Sequence, residues 1–134
     1  MQEASNIASP ESITLLCREA QSFLESHYNA DNGDACVYRM QMLENYMATT
    51  GKMLADAKFH LRQKIEHSID DLHTKKEKLS ASIFNKYVDA VTRDIAYLVD
   101  WCGRLNAGCV HSIEACRTII SKLKEEMRIA NTKY

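Results

Sequence analysis

An apolar residue recurs every third or fourth position through most of this chain, with almost nothing to interrupt the pattern. Met40, Leu43, Met47, Thr50, Leu54, Ala57 and Leu61 form one such run, which shifts to Ile65, Ile69 and Leu72. A second run is longer: Ile83, Tyr87, Val91, Ile95, Leu98, Cys102, Leu105, Cys109, Ile113, Cys116, Ile120, Leu123 and Met127. Steps of three and four keep side chains on one face of a helix. The 134 residues contain four glycines and a single proline, at position 10. Sheets and tight turns draw heavily on both residue types, so the fold class is all-α.

The boundaries come from capping chemistry. Ser9-Pro10-Glu11 reads as a helix start: serine as N-cap, proline at the first helical position, and a carboxylate on the positive end of the dipole. Residues 1–9 before it are small and polar, and are expected to fray. A short helix should then run over 10–28, with Ile13, Leu16, Ala20, Phe23, Leu24 and His27 on its apolar face. Residues 29–34 hold Asn-Gly and two aspartates and read as a loop, with Asp34 placed to cap the next helix. A second helix is expected over 35–73. The basic stretch 74–78 is either a turn or continued helix; Ser80 and Ser82 are plausible caps and favour the turn. A third helix is expected over 80–131. Gly103 and Gly108 fall where its seam shifts, and mark either a break or the close approach of another backbone.

Two long antiparallel helices have too narrow a seam to bury all these apolar positions. The stripes therefore predict a coiled-coil-like hairpin or bundle that self-associates, as a dimer or higher oligomer. No apolar run approaches the roughly 20 residues of a membrane span. The N-terminal segment has neither a basic start nor an apolar stretch, so no signal peptide is expected. Five cysteines without a secretory signal suit free thiols in a reducing, cytoplasmic setting.

Net charge is -1, unevenly spread. Residues 1–33 carry one base and five acids, while residues 74–134 carry eleven bases and seven acids. That basic excess is weaker than most nucleic-acid footprints. Cys102, Cys109 and Cys116 repeat at heptad spacing, about 10.5 Å apart along a helix. Zinc needs ligands that converge within about 2.3 Å of the metal, so the three read as small core residues. His67, Asp70, Asp71 and His73 cluster near the end of the second helix. Asp70-x-x-His73 only loosely echoes a di-iron motif, and His111-x-x-Glu114 reverses its order. The chain has no metalloprotease, phosphate-loop or nucleophile-elbow motif. The sequence thus predicts neither metal, cofactor nor catalytic residues.

One surface stands out. Arg93, Tyr97, Trp101, Arg104, Gly108 and His111 step by 4-4-3-4-3 along the third helix, roughly 130° around from the cysteine–leucine seam. A helix with one buried face should be polar there. This face instead carries the sole tryptophan, a tyrosine and two arginines, residue types that dominate binding hot spots and suit nucleotide bases and phosphates. Either Trp101 and Tyr97 pack on the first helix or a partner subunit, or the face recognises a ligand. Burial of Trp101 with Tyr97 and Arg104 at its rim is the favoured arrangement. Candidate binding residues are Arg93, Tyr97, Trp101, Arg104 and His111.

Three segments, TGKMLADAKFH (50–60), LSASIFNKYVDAVTRD (79–94) and YLVDWCGRLNAGCVHSIEACRTIISKLKEEM (97–127), resemble small helical proteins encoded in bacteriophages and prophages. The resemblance covers about the C-terminal two-thirds and carries no activity or functional residue. It implies expression inside a bacterial cell and action on host factors by binding. The expected function is therefore a non-enzymatic accessory protein that binds a host protein or a nucleotide-like small molecule. The alternatives are a nucleic-acid-associated protein of phage replication or recombination, using Lys75, Lys76, Lys78, Arg117, Lys122, Lys124 and Arg128, and a purely structural coiled-coil module.

Overall fold

The computed structural model describes residues 6–74 and 80–132, which form three helices: α1 (Pro10–Glu25), α2 (Gly33–Thr74) and α3 (Ala81–Thr132). α2 and α3 form an antiparallel hairpin. α1 lies along one half of it, parallel to α3, with Cys17 beside Cys102, Leu24 beside Gly108 and, just beyond α1, Tyr28 beside Cys116.

Local chemistry starts α1 as the sequence predicts. Ser9 is extended, its hydroxyl accepts the Ser12 N–H at 3.2 Å, and Pro10 follows. The end differs: α1 stops at Glu25, three residues before the expected 28. Ser26 turns extended and donates both its N–H and its hydroxyl to the Phe23 carbonyl. Arg39 of α2 reaches across and donates to the Phe23 and Leu24 carbonyls. A side chain from another element thus ends the helix, and His27 lies exposed beyond it. α2 begins two residues earlier than expected. The cap is Asn32, whose side chain accepts the Ala35 N–H at 3.1 Å, and Asp34 sits in the first turn instead. Ser80 caps α3, accepting the Ile83 N–H at 3.3 Å.

α3 continues unbroken through Gly103 and Gly108. A Cβ at Gly103 would meet nothing within 4 Å, and one at Gly108 would meet only Leu24 Cδ1, at 3.5 Å. The α3 glycines therefore serve neither as hinges nor as tight contacts. Gly103→Ala should raise unfolding stability by about 1 kcal/mol, since glycine costs that much against alanine inside a helix. Urea denaturation checks this; a loss of stability would mean that the backbone at Gly103 needs its freedom.

The α3 seam is buried from Ile95 through Leu98, Cys102, Leu105, Cys109 and Ile113 to Cys116, while its ends emerge, with Ile83 54% and Met127 66% exposed. One core cluster joins Ile13, Cys17 and Ala20 of α1 to Met53 and Ala57 of α2 and the stretch from Ile95 to Leu105 of α3. A second joins Leu43 to Cys109, Ile113 and Cys116. The three heptad cysteines are thus core residues. Thr50, also buried, donates to the Tyr46 carbonyl at 2.7 Å, and Asn106 bridges it to the Met47 carbonyl. Met53 and Asp56 are buried although they lie off the main α2 stripe, because α1 gives α2 a second covered face. Away from α1 the seam narrows. Ser68 and Thr92 are buried there with their hydroxyls turned back to carbonyls of their own helices, and Ile69 and Ile83 are exposed.

Candidate functional site

Where α1 begins, its cover over the hairpin ends, and a cleft of about 760 Å³ opens. That volume lies within the range of small-molecule sites. Ile95 and Leu98, both buried, supply apolar lining from α3, with Tyr97, Trp101 and Asp94 beside them. α1 contributes Pro10, Glu11, Thr14 and Arg18. α2 contributes His60, Gln63, Lys64 and His67, at positions that share one helical face.

The indole of Trp101 is half-buried against the first core cluster, and its Nε1–H donates to Gln21 Oε1 at 3.2 Å. Tyr97 is 67% exposed, with its ring 6.1 Å from the indole and tilted by 48°. Trp101 is therefore anchored by α1 and Tyr97 stands at its rim. Arg93 and Arg104 are exposed on α3 outside the cleft lining, as is His111, which sits 3.8 Å from Glu114. Of the five candidate residues the structure brings Tyr97 and Trp101 into one cavity. The full row spans about 27 Å along the helix, too far for one small-molecule site.

The α2 wall is not among the sites expected from the sequence. The spacing of His60, Lys64 and His67 is a readable signal, but the nearby Asp70, Asp71 and His73 suggest a different grouping for His67. The structure turns His67 to the cleft and leaves Asp71 and His73 exposed outside it. Among the described residues, no group of three or more His, Cys, Asp or Glu is placed to hold a metal ion.

Residues 6–8 strap the start of α1 to α2. Ala8 donates its N–H to Asp56 Oδ2 at 3.0 Å, and its carbonyl accepts from His60 Nε2 at 2.7 Å, so that nitrogen carries the proton. Lys52 donates to the Asn6 carbonyl at 2.9 Å and to Asp56. Burial works to raise the Asp56 carboxyl. The Lys52 hydrogen bond, the Ala8 N–H and the charges of Lys52 and His60 outweigh it and hold the group below its ordinary value.

The thiols are arranged for packing. Cys17 and Cys102 touch at 3.4 Å between sulfurs. Burial, then the Cys17 hydrogen bond and charge, push the Cys102 thiol up to about 12. Burial raises Cys17, Cys36 and Cys109 as well. Groups so far from thiolate are poor nucleophiles and poor metal ligands.

Of the basic residues considered for nucleic acid, Lys75, Lys76 and Lys78 lie outside the described residues. Arg117, Lys122 and Lys124 are exposed near the end of α3, and Arg128 is held by Glu125 through two hydrogen bonds, 2.7 and 3.2 Å. No helix among the described residues is long and apolar enough to cross a membrane. No protein-family model, curated protein or solved structure matches the chain.

Proposed function

We propose that this chain is a non-enzymatic accessory protein of phage type that binds a nucleotide-like small molecule in the α1–α2–α3 cleft. The observation that carries the reading is the composition of that cavity: the aromatic pair Tyr97 and Trp101 on one side and the cations Arg18 and Lys64 on others, over buried Ile95 and Leu98. Aromatic faces take a planar base, and the cations take a phosphate. The resemblance of residues 50–127 to phage-encoded helical proteins supports an accessory role. A host protein fits this concave site less well than a small molecule does. The nucleic-acid reading is weaker because acids interleave with the α3 cations and one of them already engages Arg128.

Trp101 is the only tryptophan, so its emission reports on the cleft directly. Titration with nucleoside monophosphates should quench or shift it saturably. Replacing Arg18 and Lys64 together by alanine should weaken binding at least tenfold, since each charge-assisted hydrogen bond is worth about 1.5–3 kcal/mol. No response to any nucleotide at millimolar concentration would overturn the reading.

The same proposal has the chain working as an oligomer, most simply a dimer. Ile69 and Ile83 lie exposed on the half of the hairpin that α1 leaves uncovered, and Met127 and Ile129 are exposed near the end of α3. Light scattering at micromolar concentration should give at least twice 15.3 kDa. A single-chain mass would remove the oligomer and leave the cleft reading standing.

A further inference from the structure

The strap shows how this protein holds a donor and an acceptor that lie side by side, the N–H and C=O of one residue, which belong to two successive peptide groups. Asp56 and His60, four residues apart on α2, take the N–H and the C=O of Ala8, at 3.0 and 2.7 Å. One heptad further on, Gln63 and His67 stand in the same relation. Seven residues return a helix to within about 20° of the same face, so the second pair repeats the first roughly 10.5 Å along the axis. Both members of the second pair line the cleft. Among the described residues, neither has a hydrogen-bond partner. The first pair is occupied by this chain's own backbone; the second faces the cavity.

We propose that Gln63 and His67 form a second acceptor–donor clamp that reads the lactam edge, a ring N–H beside a ring C=O, of a nucleobase held in the cleft. This rests on the nucleotide reading of the site and names the class of base it takes. By the precedent of Ala8, the residue at the Asp56-equivalent place accepts the N–H, here through Gln63 Oε1, and the histidine donates to the carbonyl. The base face lies against Tyr97 and Trp101, while the phosphate reaches Arg18 and Lys64. Uracil-type and guanine-type bases present that edge; cytosine and adenine present an amino group beside a bare ring nitrogen. A volume of about 760 Å³ suits one free nucleotide rather than a strand.

Gln63 is ambivalent, because its amide can turn to offer a donor. Gln63→Glu leaves acceptors only and reproduces the chemistry of the Asp56–His60 pair. The test titrates the full chain with uridine monophosphate and cytidine monophosphate, followed by Trp101 emission. The two ligands share sugar, phosphate and size, so the ratio of their dissociation constants isolates the base edge. It also cancels the added charge of the glutamate. Wild type should prefer the uridine nucleotide about tenfold, as expected for one well-made hydrogen bond more. Gln63→Glu should widen that ratio, and His67→Ala should bring it near one. Gln63 and His67 are exposed, so both variants should keep the wild-type melt. Equal binding of the two nucleotides, or a ratio that neither variant moves, overturns the clamp while leaving the cleft as a nucleotide site. Failure of both nucleotides to bind overturns the clamp and the site together.

Discussion

Arg39→Ala should cost about 2–4 kcal/mol of unfolding stability, the largest effect expected of any single substitution on the α1–α2 interface. Arg39 is only 6% exposed. It donates to Ser26 Oγ at 3.0 Å, to the Leu24 carbonyl at 3.1 Å and to the Phe23 carbonyl at 3.3 Å. These are carbonyls of the last α1 turn, which have no partner inside their own helix. Its positive charge also meets the negative end of the α1 dipole. The rings of Phe23 and Tyr28 lie 4.9 and 4.5 Å from its central carbon. Burying this cation is itself unfavourable, so the intact arrangement adds little net stability. Truncation is expensive because it strands the Leu24 carbonyl at about 1–3 kcal/mol and removes the contacts to both rings, while Ser26 still serves the Phe23 carbonyl. Arg39→Lys should recover less than half of the loss, because an ammonium cannot reproduce a planar fork. Urea denaturation of the three proteins measures this. A loss under about 1 kcal/mol for Arg39→Ala would show that water replaces the guanidinium at the helix end.

Trp101→Ala should cost about 2–4 kcal/mol and abolish nucleotide binding in the same protein. The indole is partly covered by the core cluster that joins the three helices, and its hydrogen bond to Gln21 is lost with it. Wild-type emission should be blue-shifted from that of free tryptophan. Trp101→Phe should restore most of the stability and part of the binding, since a ring still fills the site and still stacks. Arg104→Ala, on the exposed surface outside the cleft, should change neither the melt nor the titration. Binding in the alanine variant has to be read by calorimetry, because the fluorescent reporter is gone. Emission like that of free tryptophan together with an unchanged melt would contradict the packing of the indole on α1.

Much of the architecture is legible in the residues alone. The period of the α3 stripe places Ile95 through Cys116 in the core, and the structure buries every stripe residue of that stretch. Ser9 and Ser80 are readable as caps because an N-cap acts on backbone N–H groups only three residues away. The cysteine row is readable as packing because two helical turns separate its members. Trp101 and Tyr97 are visible as residues out of place on a face that should be polar. The spacing of His60, Gln63 and Lys64 is visible too, but not as the wall of a site, because polar side chains on a long helix look like a solvated face until a second element stands opposite them.

The three-helix composition, the starts of α1 and α3 and the register of the main seam are therefore properties of the sequence by itself. They depend on forces that act within one or two turns, namely capping, propensity and the 3.6-residue period. The end of α1 is decided by Arg39, a residue 13 positions beyond Ser26 in the chain. The burial of Asp56 is decided by a strap 48 residues away. The cleft exists because α1 is short and begins part-way along the hairpin, so its position depends on how far one helix covers two others. No local pattern encodes that coverage. It results from the packing of three apolar faces whose partners are far apart in the chain, and only the assembled tertiary structure brings Arg18, His67 and Trp101 to the same cavity.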